Sequence, residues 1–209
     1  MQGYLTVSGL AVGEYEEKRS KFIATLKPVK TEEEAVAFVK EMKSKYWDAR
    51  HNVFAYRLKN GDARFSDDGE PHSTAGKPVL DILTGKNLTD ICIVVTRYFG
   101  GILLGTGGLV RAYSEAAKAA VSNSEIVEMG LVGLFSVVCD YQQYNTLIPF
   151  IDNFGGVVSA TDFAADITVK FSLENQKFDD FSAALTDKFF GKLTVLQEGK
   201  IFSVIKILK

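Results

Sequence analysis

The chain has 209 residues, 46% of them apolar and 24% charged, the make-up of an ordinary globular protein with enough length for one large domain or two small ones. A net charge of −2 and a pI near 5.8 exclude a surface coated all over with nucleic acid, so any such binding uses a local patch. Residues Met1 to Val12 carry no basic segment or apolar core of a signal peptide, and no apolar run is long enough to span a membrane, so the expectation is a cytoplasmic protein with no membrane partner.

In chain order, Phe22 to Pro28 reads as a strand. Thr31 followed by Glu32, Glu33 and Glu34 reads as a capped helix start, with Ala35, Phe38, Val39 and Met42 at helical spacing. Asn52 to Leu58 alternates as a strand does, and Arg64 to Pro78 reads as a polar loop. Val79 to Leu83 is a short helix stopped at Gly85. Ile91 to Val95 is a continuous apolar run, suited to a central strand buried on both faces, and alanine-rich Leu109 to Val121 is helical.

Past Glu128 the pattern becomes more regular. Leu131 to Cys139 is a strand, and Gln142 to Phe154 a helix stopped by Gly155–Gly156. Val157 to Thr161 and Ile167 to Leu173 are strands meeting near Ala164–Asp166. Asn175 to Phe190 is a helix with Phe178, Phe181, Leu185 and Phe189 on one face, and Leu193 to Leu208 supplies the last strand or strands. The order β-α-β-β-α-β is the split β-α-β, ferredoxin-like plan, so the chain divides into residues 1–128 and 129–209. Every base past Glu128 is lysine, which leaves that part without arginine, the better bidentate reader of phosphate.

Cys92 and Cys139 each sit in an apolar run and read as buried reduced thiols. With no Cys-x-x-Cys and only His51 and His72 as histidines, no histidine-based metal site is indicated, and no cofactor is expected.

Between Ile91 and Ala120 a strand runs through a glycine-rich segment into a helix. Five glycines, Gly100, Gly101, Gly105, Gly107 and Gly108, fall within nine residues, with Thr106 among them and Arg97 and Arg111 flanking. Glycine lets a ligand or another backbone come close, and the first N–H groups of a helix attract anions. The segment therefore reads either as a phosphate or carboxylate site or as tight packing of helix on sheet. It matches neither the G-x-x-x-x-G-K-[ST] nor the G-x-G-x-x-G fingerprint. A second constellation, Phe65 to Pro78, holds Asp67, Asp68, Glu70 and His72 with Lys77 close behind. Its acids suit a cation or acid–base work, or, as the plainer reading, a solvated turn at Asp68–Gly69. It lacks the EF-hand pattern, and only His72 stands ready as a base for Ser66, Ser73 or Thr74.

The blocks Phe65-Ser66-Asp67-Asp68-Gly69-Glu70-Pro71, Thr74-Ala75-Gly76-Lys77-Pro78, Val95-Thr96-Arg97-Tyr98-Phe99-Gly100-Gly101 and Leu104-Gly105-Thr106-Gly107-Gly108-Leu109-Val110-Arg111-Ala112-Tyr113 together closely resemble the YigZ/IMPACT family. The resemblance covers the whole chain. It implies an α+β protein with a ribosomal-protein-S5-domain-2-like N-terminal α/β sandwich, its helices packed on one side of the sheet. A ferredoxin-like domain similar to one in elongation factor G follows. Eukaryotic relatives act in translational control by interfering with activation of an initiation-factor kinase. Nucleic-acid or ribosome binding has been proposed for the bacterial ones.

The expectation is thus a non-enzymatic binding protein without catalytic residues, contacting RNA or the ribosome through Arg97, Arg111, Lys77 and the glycine segment, with Tyr98 and Phe99 available for stacking and no DNA specificity. A small-molecule or phosphate-binding enzyme would instead set Asp67, Asp68 and Glu70 across one cleft from Arg97. A regulator acting by protein–protein contact with the translation apparatus would need an exposed apolar patch.

Overall fold

A computed structural model describes residues 3–208; residues 1, 2 and 209, which fall within the expected domain ranges, lie outside it. The described residues form two antiparallel sheets and five α-helices, in two compact units: Tyr4–Glu128 with Ile207 and Leu208, and Met129–Lys206 with Gly3.

In the first unit, β1 (Tyr4–Val7) makes a parallel bridge from Leu5 to Leu88, and Thr89 N–H donates to the Leu5 carbonyl at 2.9 Å. The sheet runs β2 (Ala11–Glu17), β3 (Ser20–Pro28), β6 (Ile91–Tyr98), β4 (His51–Arg57), β5 (Ala63–Ser66), every pair antiparallel. Strand β6 is central and apolar on both sides, as its sequence requires. Ile91, Ile93 and Val95 face α2 (Gly76–Gly85) and α3 (Gly105–Ser122) in one core with Phe22, Leu26, Val53, Val79, Leu83 and Tyr113. Cys92 and Val94 face the other way, against Phe38, Val39 and Met42 of α1 (Glu32–Lys45). The side-chain period of two puts neighbouring residues on opposite faces. Helices on one side only, as the resemblance implied, is therefore corrected: α1 covers one face of the sheet, and α2 and α3 the other.

Thr31 caps α1 through its Oγ1, which accepts from Glu34 N–H at 3.3 Å. Strand β5 lies inside the expected loop, α2 starts at Gly76, and β6 continues to Tyr98. Strands β1 and β2 also join. In β2 the alternation of buried Ala11 and Gly13 with exposed Val12 and Glu14 marks a half-buried strand, obscured by its glutamates.

The second unit is β7 (Ile126–Cys139), α4 (Tyr141–Asn153), β8 (Val157–Phe163), β9 (Ile167–Glu174), α5 (Phe178–Lys188) and β10 (Val195–Ile207), with β7 beginning three residues before the unit does. β10 pairs β7, β7 pairs β9 and β9 pairs β8, the ferredoxin-like plan. Helix α4 opens on a capping box of Asp140 and Gln143, and Gly155 after it takes φ +75°. Phe135, Leu147, Ile151, Val169, Phe171, Phe181 and Leu185 fill the core, and Phe178 stacks on Phe135 at 4.7 Å. Both thiols are free and buried. No helix among the described residues is long and apolar enough to cross a membrane.

Candidate binding cleft

Arg97 continues the inward face of β6. Two residues on from Val95, it points to the same side as the α2–α3 core and is only 6% exposed. Its cross-strand partners are Phe22 on β3 and His51 on β4. The guanidinium lies between two aromatic rings, 5.5 Å from the centroid of Phe22 and 5.6 Å from that of Phe99.

Burying a guanidinium needs a counter-charge. Glu70, from the acidic loop, supplies it. Its Oε1 accepts from Arg97 Nη1 at 2.6 Å and from the Tyr113 hydroxyl at 2.8 Å, and His51 Nε2 stands 3.8 Å away. The Glu70 and Arg97 side chains are 4% and 7% exposed. Burial, then the Glu70 charge, pushes the Tyr113 hydroxyl far above the usual tyrosine range, so it stays a donor. His51 Nδ1 lies 2.8 Å from the Asp68 carbonyl oxygen.

The other acids hold the loop itself. Asp67 Oδ1 accepts from Ala75 N–H at 3.1 Å and Gly76 N–H at 2.8 Å, and its Oδ2 from Ser73 N–H at 2.8 Å, which caps α2 from eight residues upstream. Asp68, at φ +44°, takes Lys43 Nζ at 2.6 Å on one oxygen and Asn52 N–H at 2.6 Å on the other.

Above the Arg97–Glu70 pair opens a cleft of about 450 Å³, bordered by Arg50, His51, Glu70, Phe99, Leu103 and the start of α3 at Gly105 and Thr106. The N-cap of α3, Leu104, makes no side-chain cap hydrogen bond and the first turn carries no acid, so no side-chain acceptor caps its positive end. The acidic loop and the glycine-rich segment thus border one cleft. Arg97, Glu70, Gly105 and Thr106 meet there.

The remaining expected residues do not line it. Lys77 pairs with Asp81 on the exposed side of α2, and Arg111 is exposed further along α3. His72 is exposed, its Nδ1 2.9 Å from Ser73 Oγ, and Tyr98 donates to Asp48. The glycines also divide. A Cβ on Gly100 would fall 2.1 Å from the Arg19 carbonyl carbon, so Gly100 serves packing. Gly101 and Gly105 take positive φ, and Gly105, Gly107 and Gly108 are not loop at all but the first turn of α3. Sequence reasoning missed Arg50, His51, Leu103 and Tyr113 as members of this site. Strand register carries the signal for His51, which faces Arg97 across the sheet.

The Impact N-terminal domain matches residues 18–121, and a domain of unknown function, DUF1949, matches residues 137–192. An IMPACT family member of Bacillus subtilis, YvyE, is 32% identical over 203 residues, 96% of this chain and 93% of that protein. The chain belongs to the IMPACT family. Another IMPACT family member, from Haemophilus influenzae, is 38% identical over 199 residues, 93% of this chain and 97% of its own. A crystal structure of a hypothetical protein aligns with a TM-score of 0.62 at 34% identity, covering 94% of this chain and 97% of that one. In this IMPACT-family chain the matched N-terminal span contains the whole cleft.

Proposed function

We propose that this IMPACT-family chain is a cytoplasmic, two-domain binding protein (1–128 and 129–209) of the translation apparatus that holds RNA by its backbone in the cleft over Arg97. The observation that carries this reading is the meeting of an uncapped helix start with Arg50 and Arg97 beside the half-exposed ring of Phe99. A phosphate at the end of α3 gains from the helix N–H groups, the helix dipole and Arg50, and a neighbouring base finds an aromatic face for stacking. Because the chain as a whole is acidic, the contact is local and involves few phosphates.

Titration of a fluorescent single-stranded RNA with the full chain at rising salt tests it. The expected log–log slope is about −0.7 for each phosphate neutralised. Arg50→Ala, on an exposed residue, should weaken binding about 10-fold, the scale of a charge-assisted contact. Affinity indifferent to both salt and Arg50→Ala would overturn the reading.

One observation favours a second reading, a small anionic ligand in place of RNA: the acidic and glycine-rich segments face each other across a cleft sized for one small molecule. Competition by free nucleotides against the labelled RNA separates the two. Complete displacement at low nucleotide concentration supports the small ligand.

A further inference from the structure

A carboxylate is an odd lining for an anion cleft, and the way Glu70 is held explains it. Both donors that Glu70 binds, Arg97 Nη1 and the Tyr113 hydroxyl, converge on Oε1. Oε2 accepts from no donor among the described residues, and unlike Arg97 Nε it is not sealed from solvent. Arg97, nine-tenths buried and part of the same cleft lining, leaves that Nε without a hydrogen-bond partner. The charge of Glu70 is thereby balanced at one oxygen, while the other, on a side chain that lines the cleft, has no donor among the described residues. The cleft therefore presents donors (Arg50, the α3 amides) and one fixed acceptor.

Resting on the RNA reading above, we infer that Glu70 is a specificity-determining residue whose Oε2 accepts a hydrogen bond from the 2′-hydroxyl of a ribose, so that the cleft takes ribonucleotide and not deoxyribonucleotide chains. A ribose has its hydroxyl donor a few bonds from the phosphate that the helix start and Arg50 would bind. A deoxyribose at the same place leaves the carboxylate oxygen desolvated and unpaired. Tyr113 and Arg97 act here as positioning residues, since they fix which oxygen of Glu70 stays available.

The test uses the full chain and two oligonucleotides of one sequence, RNA and its 2′-fluoro analogue, which keeps the sugar pucker and backbone charge but has no hydroxyl donor. By fluorescence anisotropy the wild-type chain should prefer RNA about 10-fold, the scale of one hydrogen bond to a charged acceptor. In Glu70→Gln, whose amide can orient either way, the ratio should fall to within about 2-fold. The wild-type comparison stands even if that variant folds poorly. Equal affinity for the two oligonucleotides, with salt and Arg50→Ala still weakening both, would overturn this inference and leave RNA binding intact. A full preference persisting in folded Glu70→Gln would also overturn it. Binding of neither oligonucleotide would remove the RNA reading along with it.

Discussion

Arg97 Nη1 donates to Glu70 Oε1 at 2.6 Å, with both side chains almost fully buried, and this pair ties the end of the central strand to the acidic loop 27 positions earlier. The pair has a structural job apart from any ligand. Replacing Arg97 with Met strands a buried carboxylate, and the expected cost in urea unfolding is about 3–5 kcal/mol. Adding Glu70→Gln to Arg97→Met should restore a large part of that. If the double variant is as unstable as the sum of the two singles, the pair is not coupled as described.

Asp67 is a distant cap for α2. Asp67→Ala removes the acceptor for three backbone N–H groups, and chemical denaturation should show a loss of about 1–2 kcal/mol. Asp67→Asn, which keeps one amide oxygen, should lose less.

The glycines of the shared segment should separate by role. Gly100→Ala puts a Cβ 2.1 Å from the Arg19 carbonyl carbon and should be among the most destabilising single changes in the chain. Gly107→Ala meets nothing within 4 Å, lies in the first turn of α3, and should leave the melting temperature unchanged or raise it. A melting temperature lowered by Gly107→Ala as much as by Gly100→Ala would contradict this division.

Cys92, wholly buried between the sheet and α1, has its thiol pushed up to about 12 by burial, from 9.0, and Tyr113 shifts upward as well. A raised folded-state value means the folded chain holds its proton longer than the unfolded chain does. Stability is then full below pH 9 and falls as pH rises above it, at up to about 1.4 kcal/mol per pH unit for each such group. Urea midpoints between pH 8 and pH 11 check this, and Tyr113→Phe should flatten the fall above pH 10. Thiol labelling of Cys92 at neutral pH should proceed only as fast as the chain opens.

Much of the fold was legible because it lies in local pattern. The apolar run at Ile91 announces a central strand, and Thr31 and the Gly155–Gly156 pair mark helix limits that their own neighbours dictate. Strand β2 escaped because Glu14, Glu16 and Glu17 mask a face made of Ala11, Gly13 and Tyr15. Helix α2 started earlier than expected because its cap, Asp67, is not adjacent in sequence. The site was legible in its ingredients but not in its pairings. Arg97 and Glu70 both stood out, yet only the register of β4 on β6 brings His51 to them, and only the fold of α3 over the sheet brings Tyr113. Lys77 and Arg111 stood out equally, and helix geometry turns both toward solvent.

Ultraviolet crosslinking of bound single-stranded RNA to the intact protein, followed by mass spectrometry of the crosslinked peptides, locates the RNA on the chain. The proposed cleft predicts adducts on the peptide from Tyr98 to Thr106, centred on Phe99, and their loss in Arg50→Ala. Adducts confined to the Met129–Lys206 unit, or none at any RNA concentration, would contradict it.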